Sequence, residues 1–247
     1  MEAPTGSQQD PAATGSGMVG ERGLAAQLGE LARALQDEVS FDDTLATIVT
    51  AALDLIPGAA QGSISVVEQG RSIRSHAASG ELPVVLDTLQ QKFQEGPCWD
   101  AVWEQRIVRV PDFRDEDRWP RFSRYAAEAG ATGALSFQLW VQGENLGALN
   151  LYGAKPHAFD PEAEEIGLLV GAHAAVAFAD AKQISELHQA VATRDVIGQA
   201  KGILMERYKI TDQRAFLILS TVSQRGNIRL RDVADQVAST GNLPRSP

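Results

Sequence analysis

The sequence contains 247 residues, of which 44% are hydrophobic and 22% are charged, a composition typical of globular proteins that bury a sizeable core. At about 150 residues per domain, this length favours two domains. The formal net charge of −10 argues against general affinity for nucleic acids, because an acidic surface repels a polyanion. A nucleic-acid site would therefore have to be local.

Three features favour a cytoplasmic protein. No segment approaches the roughly 20 consecutive apolar residues that a membrane-spanning helix requires, so we expect no membrane partner. Residues 1–20 contain no Lys or Arg and no apolar core, so we expect no secretory signal there. Cys98 is the only cysteine, which excludes an intrachain disulfide and a Cys-rich zinc site and fits a reducing compartment.

The chain begins with a tail and two helical patterns. Residues 1–20 are small and polar with almost no apolar anchor, which predicts a disordered tail. Leucines at positions 24, 28, 31 and 35 follow at helical spacing, and apolar residues between Leu45 and Ile56 repeat the pattern. Pro57 and Gly58 end the second helix, because proline cannot continue the hydrogen-bond ladder.

The pattern then changes to one that predicts a sheet. After Gly62, Ile64 and Val66 alternate with serines at the period of a β-strand. The next predicted elements are a strand at 73–77, helices at 83–93 and up to 103, and a strand at 107–110. Residues 134–141 and 146–152 form the clearest hairpin, because both are apolar and turn-forming residues join them. We predict an α+β fold with an antiparallel sheet flanked by helices.

A long helical pattern follows Pro161. Its apolar positions mostly step by three, four or seven, with Asp180 as an interruption: Ile166, Val170, His173, Ala177, Ile184, Leu187 and Val191. This spacing is typical of a dimer seam, but also of a helix that packs on the sheet of its own subunit. The spacing leaves both interpretations open, and the first half can pack while the second half pairs.

The C-terminal segment has three shorter helical patterns and a different charge. Residues 187–240 contain eight basic and five acidic residues, a net charge of +3, which leaves −13 for the rest of the chain. Thr211 and Asp212 are suitable caps for the second helix, and Gly226 and Asn227 separate it from the third. This segment predicts a small, weakly cationic three-helix unit.

The C-terminal segment carries an extended motif: RDVIGQAKGILMER at 194–207, followed by AF at 215–216, SQ at 223–224, Asn227 and LRDVA at 230–234. With these residues it resembles the ANTAR family of RNA-binding antiterminator modules. These positions fix glycines, small residues and charges over three helices, which makes the resemblance specific. It implies a module that binds paired hairpin loops in nascent transcripts and prevents formation of a terminator.

The upstream part carries four short motifs: EGPC at 95–98, DRWP at 117–120, LGALNLY at 146–152 and FD at 159–160. With these motifs it resembles the GAF domains that precede ANTAR modules in bacterial regulators. The resemblance implies a GAF-like sensor that controls RNA binding. We therefore predict a GAF-like sensor domain at 24–180, a long connecting helix, an ANTAR-like domain at 181–240 and a tail at 241–247.

The predicted RNA site lies in the C-terminal module. Sequence-specific RNA readers favour single-stranded loops, whose splayed bases expose hydrogen-bonding edges to basic and short polar side chains. Arg194 and Lys201 are seven residues apart and share a helix face, whereas Arg207 is rotated from it. The predicted RNA-binding residues are Arg194, Lys201, Arg207, Ser223, Gln224, Asn227, Arg229 and Arg231.

The sensor offers candidate ligand residues but no catalytic constellation. The four histidines lack metal-ligand spacing, and no phosphate-binding glycine loop occurs, so we predict no metal site. No base is evident beside Cys98, so we expect a buried structural thiol and no enzyme. Candidate contacts for a small-molecule ligand of unknown identity are Cys98, Trp103, Phe137 and Trp140.

These inferences combine into one functional hypothesis. A signal at the sensor changes the geometry of a homodimer, whose two modules then engage two paired stem-loops with a high effective concentration. Two alternatives stay open. Three short helices can imitate a helix-turn-helix, which would make the protein a DNA-binding regulator, and a module without RNA affinity would make it a protein-interaction regulator.

Overall fold

The computed structural model describes residues 15–38, 40–68, 72–104 and 106–244, with side chains described from residue 23 onward. The chain divides into two compact units, Met1–Ala181 and Lys182–Pro247. Residues 1–14 of the predicted disordered tail lie outside the described residues, as do residues 245–247 of the predicted C-terminal tail. Helix α1 begins at Gly15, so the remaining residues of the predicted N-terminal tail have helical backbone.

Within the described part of the chain, the first unit contains a five-stranded antiparallel sheet. Its strands are β1 (Ala59–Glu68), β2 (Ser72–Ala78), β3 (Ile107–Val110), β4 (Ala134–Val141) and β5 (Glu144–Gly153). They lie in the order β2-β1-β5-β4-β3, and every neighbouring pair is antiparallel. The predicted antiparallel sheet flanked by helices is confirmed.

The hairpin between β4 and β5 is tighter than the sequence predicts. Gln142 and Gly143 both have positive φ angles, 50° and 89°, and Val141 pairs with Glu144 across the turn. Two central residues with positive φ are the signature of a two-residue hairpin turn, whose twist matches that of the strands. Strand β5 therefore begins at Glu144, two residues before the predicted start.

Helices cover both faces of the sheet. They are α1 (Gly15–Asp37), α2 (Phe41–Leu55), α3 (Glu81–Phe93), α4 (Pro97–Trp103), α5 (Pro120–Glu128) and the first part of α6 (Pro161–Tyr208). Helices α1, α2 and α6 share one core with the sheet, around Leu45 and Phe137. Helices α3, α4 and α5 share the other core, around Leu86 and Phe122. Helix α5 was not predicted from the sequence.

The second unit consists of the C-terminal part of α6 and two shorter helices, α7 (Asp212–Gly226) and α8 (Leu230–Thr240). Thr211 caps α7, because its hydroxyl accepts a hydrogen bond from the backbone N–H of Arg214 at 3.4 Å. Asn227 ends α7 in the left-handed conformation. The core of this unit lies around Leu204 and Val233, and it confirms the predicted three-helix module.

The burial of the apolar positions changes along the long helix α6. Val170 is fully buried in the core of the first unit, so the early part of α6 packs on the sheet of its own subunit. Ile184, Leu187 and Val191 are instead 51%, 62% and 52% exposed. None of the helices in the described part of the chain is long and apolar enough to cross a membrane.

Candidate functional sites of the two units

Two of the predicted RNA-binding residues on α6 have structural partners within the module. The Lys201 ammonium forms an ion pair with the Asp212 carboxylate at 2.6 Å, which ties α6 to the first turn of α7. The Arg207 guanidinium donates hydrogen bonds to the Gly241 carbonyl and, at 3.0 Å, to Asn242 Oδ1. A cation is favourable there, because the C-terminal end of α8 carries unpaired carbonyls and partial negative charge.

The predicted RNA-binding residues in and around the turn between α7 and α8 have different structural roles. The Ser223 hydroxyl donates to the Ile228 carbonyl at 2.7 Å, and the Asn227 N–H donates to the Ser223 carbonyl, so both residues build the turn that ends α7. Arg231 lies 3.7 Å from the Asp235 carboxylate one turn later on α8. Gln224, Asn227 and Arg229 expose their side chains.

Arg194 and Lys201 line the same open groove on the module. Gly198, between them on α6, and Phe216 from α7 also line it, and Phe216 is 45% exposed. A Cβ atom at Gly198 would meet no other atom within 4 Å, so the groove has free space at this point. Arg207 lies instead in a second groove beside Gly202 and Gly241. The structure thus brings Arg194 and Lys201 together and separates them from Arg207.

The four candidate ligand residues of the sensor do not form one site. Cys98 and Trp103 belong to α4 and lie in the layer of α3, α4 and α5. Phe137 is 2% exposed in the opposite core, where a Cβ at Gly167 of α6 would lie only 2.1 Å from its ring. Trp140 is 46% exposed and lines a small cavity together with Phe137 and Arg106, whose guanidinium lies 5.5 Å from the Trp140 ring centroid.

Cys98 is a buried thiol. Its side chain is 1% exposed, and its backbone N–H donates to Gln90 Oε1 at 2.7 Å. Burial, and then the charge of Asp87, raise the pKa of this thiol to about 12. The thiolate is the nucleophilic form of cysteine, so burial disfavours nucleophilic chemistry at Cys98.

A row of buried polar side chains, which was not predicted from the sequence, crosses three strands. Ser63 of β1 pairs with Asn150 of β5, which in turn pairs with Ser136 of β4, and all three residues are fully buried. The Ser136 hydroxyl donates to Asn150 Oδ1 at 2.9 Å, and Asn150 Nδ2 donates to the Ser65 hydroxyl at 3.0 Å. We call Ser63, Ser65, Asn150 and Ser136 the polar row.

Asp87 of α3 faces the polar row from the helical layer. Its Oδ1 lies 3.5 Å from Asn150 Nδ2, and the residue is 8% exposed. Burial raises the pKa of the Asp87 carboxyl to about 6, an effect that hydrogen bonding to Ser75, Ser63 and Ser65 partly offsets. The hydroxyls of Ser75, Ser63, Ser65 and Tyr152 face this carboxylate as donors, although Asp87 Oδ2 and the Ser63 hydroxyl make no contact of normal hydrogen-bond length with another described residue.

A sequence signal for the polar row exists. Side chains alternate between the two faces of a strand, so the serines that flank Ile64 share the face opposite to it, and Asn150 and Ser136 likewise lie between apolar neighbours. Such alternation is typical of antiparallel strands with one solvated face. Helices α3 and α4 cover that face instead, which makes its polar residues part of the interior.

Solved structures with the same fold support this description of the first unit. A GAF domain of a phosphoenolpyruvate-protein phosphotransferase from Coxiella burnetii is 19% identical, with a TM-score of 0.53 over 66% of this chain and 96% of that chain. A free methionine-R-sulfoxide reductase from Neisseria meningitidis, in complex with its substrate, is 16% identical, with a TM-score of 0.52 over 74% and 99%. At such low identities these similarities show the fold alone.

Family models identify both parts of the chain. No curated protein has a significantly similar sequence. A GAF domain model matches residues 38–179, which is more than half of the chain, and an ANTAR domain model matches residues 185–237. The chain therefore belongs to the GAF domain family and continues into an ANTAR domain, as a GAF–ANTAR regulator does.

Proposed function

We propose that this protein binds stem-loops in nascent transcripts through its ANTAR domain and thereby prevents termination of transcription in response to a signal at its GAF domain. The pair of domains supports the broader description, a signal-responsive regulator with an RNA-binding module. The observation that carries the proposal is the ANTAR match over residues 185–237, which falls within the compact three-helix unit.

The RNA contacts are assigned to side chains that the module does not use for its own fold. Arg194 and Arg229 are exposed and form no ion pair with another described residue, and Gln224 is also exposed. The side chains of Lys201, Arg207 and Ser223 hold the three helices and their turns together. We assign Arg194, Gln224 and Arg229 to RNA contact. The three residues that hold the helices together are assigned to support of the module.

The groove beside Arg194 has the chemistry of a binding site for an unpaired nucleotide. The half-exposed ring of Phe216 offers a stacking surface for a base, and the guanidinium of Arg194 in the same groove offers a partner for its phosphate. The open space at Gly198 lets the sugar-phosphate backbone approach the helix closely. Stacking on an aromatic ring contributes about 1–3 kcal/mol per base.

We assign the exposed apolar stripe of α6 to an interface with a second copy of the chain. Ile184, Leu187 and Val191 follow one another at spacings of three and four, as at the core positions of a coiled coil. Burial of such side chains contributes roughly 1.5–3 kcal/mol each. A dimer joins two RNA modules, so two weak contacts with paired stem-loops act together.

Gel-shift titration of the full chain tests the proposal. The probes are a transcript segment with two stem-loops, the same segment with one loop deleted, and duplex DNA of matched length, each at low and at physiological salt. We expect the paired stem-loops to bind at least about 100-fold more tightly than the single loop. Tighter binding of duplex DNA would instead support a DNA-binding regulator, and no binding of any probe would support a protein-interaction regulator.

A further inference from the structure

A small cavity in the sensor lies between the edge of the sheet and the first part of α6. We propose that this cavity binds a small apolar carboxylate, a benzene ring or a short alkyl chain that carries one carboxyl group. The proposal deepens the sensor role given above, because it names the chemical class of the signal, and it rests on that role only for its regulatory meaning.

The cavity lies where β4 extends beyond its neighbour β3. Strand β3 begins at Ile107, which pairs with Phe137, and the Gln138 N–H donates to the Arg106 carbonyl at 2.9 Å. Beyond this point no strand of the described residues lies beside β4 on that edge. Arg106 and Trp140 therefore lie together at the open end of the sheet edge, where they line the cavity.

Small residues on α6 leave room for the cavity, whose volume is about 160 Å³. Its lining from α6 consists of Leu168, Gly171, Ala172 and Ala175. A Cβ atom at Gly171 would lie 3.7 Å from the Phe137 Cβ, an ordinary van der Waals distance. Phe137 is buried and Trp140 is half-exposed, so the cavity has one buried aromatic wall and one that reaches the solvent.

The size of the cavity selects a ring or a short chain. An apolar cavity of about 150 Å³ binds one benzene molecule, whereas drug-sized ligands occupy cavities of about 300–1,000 Å³. The lining is mostly apolar, so it favours an apolar body, which gains free energy by leaving water. A nucleotide or a flavin is too large for this space.

Arg106 supplies the charge that selects a carboxylate. Its exposed guanidinium contacts the Trp140 ring and forms no ion pair with another described residue, whereas Arg109 on β3 is paired with Glu164 of α6 at 3.0 Å. No described carboxylate lines the cavity, and the Gln138 amide already donates to the Val102 carbonyl at 2.9 Å. One unpaired cation matches one carboxylate better than a phosphate dianion.

Isothermal titration calorimetry of the full chain tests this assignment. The probes are benzoate, pentanoate, acetate and the neutral benzamide, all at equal ionic strength. We expect benzoate and pentanoate to bind. Benzamide lacks the charge and acetate lacks the apolar body, so each should bind at least about tenfold more weakly.

Two variants remove the two halves of the site. Arg106→Gln removes the charge, and Ala172→Leu fills the apolar part from an exposed position, so each should weaken benzoate binding at least about tenfold. The matched controls are Arg33→Gln on α1 and Ala192→Leu on α6, both at exposed positions outside the cavity. Both controls should bind benzoate as the wild type does.

Tryptophan fluorescence supplies a second measurement. A ligand in the cavity covers Trp140, so pentanoate should change the emission of the wild type but not that of Trp140→Phe. Equal affinities for benzoate and benzamide, full binding in Arg106→Gln, or dissociation constants above about 10 mM for both larger carboxylates would each overturn the proposal. Emission of Trp140 that changes with protein concentration alone would instead assign the cavity to a second copy of the chain.

The same proteins separate this proposal from the RNA proposal. If the wild type binds the paired stem-loops but no carboxylate, the ligand site is wrong and the RNA function stands. If it binds benzoate but no stem-loop, the ligand site stands and the RNA function is wrong. A change in stem-loop affinity on addition of benzoate, absent in Arg106→Gln, would show that the cavity receives the signal, and an unchanged affinity would overturn that role.

Discussion

The two units of this protein place their polar side chains in opposite ways. In the sensor, Asp87 and the polar row are enclosed between the sheet and a helical layer, whereas the module carries its cations on the surface of three helices around one small core. A buried polar group that lacks a partner costs about 1–3 kcal/mol, but an exposed ion pair contributes only about 0–1 kcal/mol. Polar substitutions should therefore change stability in the sensor and binding in the module.

The largest expected effect tests whether the module depends on its own core. Leu204 is 1% exposed at the centre of that core, so Leu204→Ala should destabilise the module by about 2–5 kcal/mol through lost burial and a cavity. Leu217→Ala on the neighbouring helix is the matched control, because Leu217 is 63% exposed. Hydrogen exchange of peptides from residues 185–237 measures the effect. Equal protection in both variants would contradict a single small core.

The next effect concerns the buried carboxyl of Asp87. Burial raises its folded-state pKa from 3.8 to about 6, so the folded state favours the protonated form more than the unfolded state does. The stability that Asp87 contributes is therefore fully present below about pH 4 and is lost as pH rises to about 6. Asp87→Asn should be more stable than wild type at pH 8 by roughly 2–3 kcal/mol, a difference that shrinks at acidic pH.

Urea unfolding from acidic to alkaline pH, followed by tryptophan fluorescence, measures this difference. Three of the four tryptophans, Trp99, Trp103 and Trp119, lie in the layer of Asp87 or pack against it, so the signal reports on that layer. Asp54→Asn, at an exposed site on α2, should follow the wild-type profile. A pH-independent difference between Asp87→Asn and wild type would mean that the Asp87 charge is neutralised within the protein.

The difference between local sequence patterns and long-range contacts explains what the sequence could predict. The alternation around Ile64, the helical spacing on α6 and the turn residues before β5 are local signals, and they predicted the sheet and the three-helix module correctly. The polar row depends on the pairing of Ser63 with Asn150, which are far apart in the chain, and on which helices cover that face of the sheet. A local sequence pattern shows neither which strands pair nor which helices cover a face of the sheet.

The predicted RNA-binding residues of the module show the same limit of prediction from local sequence. The sequence places Arg194, Lys201 and Arg207 on one helix as similar cations, but the ion pair of Lys201 with Asp212 and the contact of Arg207 with Gly241 depend on how α7 and α8 pack. A charged residue type predicts a surface position. It does not predict whether the charge already has a partner in the fold.

A smaller effect concerns the exposed apolar stripe of α6. Leu187→Lys introduces charge into the proposed dimer interface and should weaken self-association by at least about tenfold, equivalent to 1.4 kcal/mol. Leu217 on α7 is similarly exposed but lies outside the proposed interface, so Leu217→Lys should leave self-association unchanged. Analytical ultracentrifugation over a range of concentrations measures the difference. A wild type that stays monomeric at every concentration would contradict the dimer.

The smallest effects separate cations that bind RNA from cations that support the module. Arg194→Ala should weaken stem-loop binding several-fold and reduce the slope of log affinity against log salt by about one, because one phosphate contact is lost. Arg207→Ala should leave that slope unchanged and instead reduce protection of α8 in hydrogen exchange, since its guanidinium holds the end of that helix. Equal salt slopes for both variants would place the phosphate contact elsewhere on the module, because only a cation at the interface releases counterions on binding.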